Sequence, residues 1–222
     1  MLRTIKNEQI FILAVLCGFF LATANSFFKK PVPLSRADYL APPKVIVNLS
    51  AGLKVQAADS FWLRGLQDFD FCDQPVNKME CVGQSWLFHI LDLTTDLDPK
   101  FFSAFFYGGL SLTVVVNDFA GATQIFDKGV AEFPKNWILL YAAAYHAATE
   151  EKDKVKASKL YFAAAKYGAP IWVNAMAGRL AGEGGDEKYA ELILQQMIDS
   201  AMEPKLIERL QQKLQKIKSE KK

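Results

Sequence analysis

The chain has 222 residues, 51% of them hydrophobic, with 26 basic and 24 acidic side chains for a net charge of +2. So much apolar material excludes an intrinsically disordered chain, and the balance of charge gives no global attraction to nucleic acid, which needs clustered cations against phosphates. The one basic cluster, Lys213 to Lys222, reads as a solvated helix end.

Residues 10–28 carry no charge, follow Arg3 and Lys6, and are closed by Lys29 and Lys30. About 19 such residues suffice to cross a hydrocarbon core at 1.5 Å per residue, so the sequence predicts a membrane segment over residues 1–28. Ala22-Thr23-Ala24 also fits a signal cleavage site, and an uncleaved anchor and a removed signal both stay open. Arg3 and Lys6 favour a far-side placement of the remainder, whereas Lys29, Lys30 and Arg36 oppose it. Cys72 and Cys81, which bracket a polar stretch, break the tie: a bridge between them would persist only in an oxidising compartment. The expected location is therefore the inner membrane of a Gram-negative envelope, single-pass with the C-terminal part periplasmic, or the soluble periplasm after cleavage.

Residues 29–44 hold prolines 31, 33, 42 and 43 without helical period and read as an extended spacer. Residues 45–222 read as one helical domain. Leu49, Leu53, Ala57 and Phe61, continued by Trp62, Leu66 and Phe69, form a first apolar stripe that ends before the Cys72 loop. A second helix over 84–97 stops at Asp98-Pro99, because the residue before proline is pushed out of helical geometry. Paired helices follow over 101–116 with 119–132, 137–149 with 155–167, and 172–181 with 187–200. Pro204 opens a last amphipathic helix through Ile207, Leu210, Leu214 and Ile217, whose polar side (Arg209, Lys213, Lys216, Lys218) suits a terminal cap.

These pairs share a template. Asp118, Ala122, Phe126 and Gly129 recur 35 residues later as Asp153, Ala157, Tyr161 and Ala164, and 33 residues after that as Asp186, Ala190, Leu194 and Met197. A template repeated at this period marks stacked helical hairpins, in which small residues allow close approach and large ones fill the gap to the next unit. Pro134, Pro170 and Pro204 end the second helix of each unit, and Pro99 holds the same place in a degenerate first one. The pattern is similar to the tetratricopeptide repeat over about residues 60–200, with Phe106-Tyr107-Gly108 approximating its large, large, small first helix. The resemblance implies an all-α solenoid of about four hairpins. It also implies a concave groove, lined by the first helix of each hairpin, that binds a partner peptide or helix. Carried over by position, the groove candidates are Phe102, Phe105, Leu112, Leu139, His146, Trp172 and Arg179.

Chemistry is not expected. His89 and His146 lie on different helices without further ligands at metal spacing, so no metal is expected. Asp92 and Asp96 share a helix face near Asp98 but read as solvated carboxylates, not as an acid/base pair. Gly182 to Asp186 lacks the strand and the Lys-Ser/Thr ending of a phosphate loop. With no catalytic, cofactor or small-molecule site in view, the expected function is a non-enzymatic adaptor or scaffold that gathers protein partners in a cell-envelope complex. A soluble assembly chaperone or pilotin-like carrier, and a constitutive subunit of a membrane machine, are the alternatives.

Overall fold

The computed structural model describes residues 15–20, 23, 41–67 and 82–200, and in the last stretch residues 205, 208, 209, 211, 212, 215 and 219. The chain divides into two compact units, Met1–Tyr39 and Leu40–Lys222. In the first, the described residues are helical, with Val15, Leu16, Phe19 and Phe20 exposed and Cys17 a free thiol.

Among the described residues no helix is long and apolar enough to cross a membrane, which corrects the expected single-pass inner-membrane placement. The longest described helices have 14 residues. That is about 21 Å against a hydrocarbon core of about 30 Å, and each of them carries charges. Cys72 and Cys81 lie outside the described residues, as do Pro204, Ile207, Leu210, Leu214, Ile217, Lys213, Lys216 and Lys218 of the expected cap. The described positions of that stretch, Arg209 among them, are helical and exposed.

The second unit is all-helical among the described residues: α1 (Ile46–Leu49), α2 (Lys54–Gln67), α3 (Trp86–Leu97), α4 (Phe102–Ser111) running into a π turn (Leu112–Val116), α5 (Phe119–Glu132), α6 (Trp137–Thr149), α7 (Lys154–Lys166), α8 (Trp172–Glu183) and α9 (Glu187–Ser200). From α2 to α9, helices consecutive in sequence pack on one another, an arrangement consistent with a helical solenoid, and α1 packs on α3. The core follows the same order. One cluster joins α3 to α6 around Leu91, Phe105, Phe126 and Leu139, and another joins α6 to α9 around Ala144, Tyr161, Ala177 and Ile193.

Two expectations change locally. The first apolar stripe is broken before α2, because Ala51 and Gly52 both take positive φ, and Leu49 and Leu53 fall outside α2 and are exposed. The single helix over 101–116 becomes an α-helix with a π end. There the Thr113 hydroxyl donates to Gly109 O at 2.9 Å, the β-branched run Val114 to Val116 resists regular winding, and Asn117 closes the turn in left-handed geometry.

The recurrent aspartates turn out to be hinges of construction. Asp118, Asp153 and Asp186 each cap the following helix, accepting Gly121 N–H at 3.0 Å, Lys156 N–H at 2.8 Å and Tyr189 N–H at 3.2 Å. Each donates its own N–H backwards, to Leu112 O, Ala147 O and Ala181 O, all at 2.9 Å. The residue before each (Asn117, Lys152, Gly185) is left-handed, the usual way of stopping a helix. One residue thus closes a first helix and opens a second. Behind it, Ala122, Ala157 and Ala190 are fully buried, and Phe126, Tyr161 and Leu194 are buried with them.

Candidate partner-binding face

Burial sets the register of the first helices α4, α6 and α8. Phe105, Leu139 and Val173 are buried at steps of 34, as are Gly109, Ala143 and Ala177, and Leu112, His146 and Leu180. The outward rows repeat at the same step: Tyr107, Tyr141 and Ala175 form one, Ser111, Tyr145 and Arg179 another, with Ile138 and Trp172 paired beside them. The seven sequence candidates therefore separate. Phe105, Leu112, Leu139 and His146 sit in the core, Phe102 is half-buried against Phe106 and Phe133, and Trp172 and Arg179 are exposed. The cause is a slip of one residue. Trp172 and Arg179 stand 33 residues after Leu139 and His146 instead of 34, and one residue is 100° around a helix.

What the outward rows bring together is an aromatic patch with one cation. The Tyr141 ring meets Trp172 edge-on at 5.8 Å and Tyr161 at 5.3 Å, joining α6, α7 and α8. Trp172 is 50% exposed, Tyr145 49% and Tyr107 55%. Burial holds the Tyr161 phenol above its ordinary value, Tyr141 and Tyr145 add to the effect, and Arg179 opposes it. The Arg179 side chain is 64% exposed, with Glu183 one turn on at 3.8 Å. Tyr145 and Ile138 carried no signal of their own in the sequence, and Tyr107 stood there only as the middle of Phe106-Tyr107-Gly108; the 34-residue rows are what bring the three together.

The first helices are otherwise without charge. Residues 102–116 and α6 contain no Asp, Glu, Lys or Arg, and α8 has only Arg179 and the terminal Glu183. The second helices carry the charges instead: Asp127, Lys128 and Glu132 on α5, four lysines on α7, and Glu187, Lys188, Glu191 and Asp199 on α9.

Two polar clusters lie apart from this face. Asp92 is buried, not solvated as its sequence context predicts. Its Oδ1 lies 2.7 Å from Lys128 Nζ and its Oδ2 2.6 Å from Lys44 Nζ, while Lys128 also reaches Asp96 at 2.7 Å and Thr95 at 2.9 Å. Burial of Asp92 raises its carboxyl pKa, but hydrogen bonds and charge from Lys128 and Lys44 outweigh that and hold it below the ordinary range. Lys44, at the end of the expected spacer, is thereby tied to α3. A cleft of about 240 Å³ opens beside Lys128, lined also by Pro99, Phe105 and Glu132.

The second cluster surrounds His146, which fills the core position that leucine holds in the flanking units. Its Nδ1 is 2.9 Å from Thr113 Oγ1 and its Nε2 3.0 Å from Thr123 Oγ1, which lies 3.0 Å from Glu151 Oε1. The Thr113 hydroxyl also lies 2.9 Å from Gly109 O, so its one proton is shared between that carbonyl and the ring. Burial pushes the His146 pKa down, against the nearby charge of Glu151. Lys156 bonds Glu151 at 3.0 Å and Asp127 at 2.8 Å, extending the network from α5 to α7. Among the described residues no group of three or more His, Cys, Asp or Glu side chains is placed to hold a metal ion.

Comparison with protein-family models, curated proteins and solved structures finds no match to this chain.

Proposed function

We propose that this protein is a non-enzymatic adaptor of the tetratricopeptide type, which gathers a protein partner on the face formed by α4, α6 and α8. The observation that carries this reading is the segregation of charge. Three consecutive first helices expose Tyr107, Ile138, Tyr145 and Trp172 around a single arginine, while the second helices hold the charged side chains. Tyrosine, tryptophan and arginine are the residues that most often anchor interfaces, and charge is depleted at interface centres. A wholly solvated surface would have no reason to exclude charge from one side only.

The test isolates the tagged full chain from its own cells with its bound protein. Trp172→Ala and Tyr145→Ala should each lose the partner and keep the thermal transition of the parent, and Lys159→Ala on α7 should keep both. A partner retained equally by all three variants would sink the reading.

A further inference from the structure

We infer that the partner enters this face as an α-helix, and that its buried side carries one carboxylate set against Arg179. The inference rests on the adaptor reading and adds to it the conformation and charge of what is bound.

Conformation follows from what the face does not offer. An extended peptide brings one N–H and one C=O per residue, and those turned inward need partners once water is excluded. The helices α4, α6 and α8 contain a single side-chain amide, Asn174, whose acceptor Oδ1 is buried without a hydrogen-bond partner and so is turned away from a peptide lying on the surface. Besides Arg179 and Glu183, the remaining exposed or half-exposed groups are aromatic rings, aliphatic side chains and scattered hydroxyls (Ser103, Tyr107, Ser111, Tyr141, Tyr145 and Thr149), not a run of paired donors and acceptors along which a strand could lie. A helix satisfies its backbone internally and presents only side chains, which is what such a surface can accept.

Charge follows from Arg179. It is the one cation on the three helices, and its contact with Glu183 is an exposed pair at 3.8 Å, too weak to compete with a partly desolvated carboxylate. A basic residue at that point of the partner would meet a like charge with only the exposed Glu183, already shared with Lys154, to offset it.

A photo-crosslinking phenylalanine analogue at Tyr107, Tyr145 or, as a control, Lys159 of the full chain in its own cells identifies the contacted segment by mass spectrometry. We expect Tyr107 and Tyr145 to capture the same segment, with apolar residues at helical spacing and an Asp or Glu among them, and Lys159 to capture nothing. Arg179→Glu should then weaken binding of that segment about tenfold, and replacing its carboxylate with lysine should restore it. Capture of a proline-broken or basic segment, or no rescue by the charge swap, overturns the inference and leaves the adaptor reading standing. Absence of any crosslink specific to this face overturns both.

Discussion

The Asp118 carboxylate accepts the Ser85 hydroxyl through Oδ2 at 2.6 Å, and Ser85 Oγ in turn accepts Phe88 N–H, so the N-termini of α5 and α3 share one cap. Asp118 also takes Gly83 N–H at 2.6 Å and Ser85 N–H at 3.1 Å while fully buried. Its counterpart Asp153 caps α7 alone and is exposed. Asp118→Ala strands several buried donors and should cost about 3 kcal/mol, against about 1 kcal/mol for Asp153→Ala. Urea unfolding of the two variants checks this; equal losses would refute the shared cap.

Lys128 binds Asp92, Thr95 and Asp96 together, so Lys128→Met leaves Asp92 with Lys44 as its partner. The expected loss is about 2 to 3 kcal/mol, and adding Asp92→Asn should recover part of it, because the cost is mainly that of an uncompensated carboxylate. A double-mutant cycle in denaturant measures the coupling, and strict additivity would refute it.

Stability should have two acid steps. The folded chain holds His146 below its ordinary value of 6.5, so below that pH the unfolded chain takes up the proton first and stability falls as pH drops towards the folded value. Glu151, Glu150 and Lys156 are the charged groups acting on the ring. Asp92 works lower: its stabilisation is present above 3.8 and disappears as pH falls through its depressed folded value. Thermal unfolding from pH 7 to 3 should show both steps, and His146→Gln should abolish only the first.

Helical glycines should divide by what a methyl group meets. At Gly109 it would sit 2.7 Å from the Phe126 ring, and at Gly108 2.7 Å from Leu91, so alanine at either should cost about 1 to 3 kcal/mol. At Gly178 the nearest atom is Ile193 Cγ2 at 3.4 Å, an ordinary contact, and Gly178→Ala should gain up to about 1 kcal/mol from helix propensity. Melting temperatures that move in the same direction would contradict this division.

The fold was legible where packing and backbone chemistry act locally. Proline stops and apolar spacing place α5, α6 and α9 at their observed limits, and α3, α7 and α8 within two residues at each end. The aspartate template marks the hairpin turns because one residue type suits a cap wherever the turn recurs. The face was less legible. Carried over by position, Trp172 matches Leu139, and only burial shows that Ile138, not Leu139, shares the position of Trp172. His146 and Asp92 read as surface groups because their partners Thr113, Thr123, Lys44 and Lys128 lie on other elements, at separations that no local pattern reports.

Rows on the first helices advance by an even 34 residues, while the capping aspartates advance by 35 and then 33. The odd residue therefore resides in the turn around Lys152, which adopts left-handed geometry that a glycine would take more easily. Length variation in such a chain is quarantined in its turns: a residue gained or lost there leaves the outward aromatic rows of the first helices at an unchanged pitch.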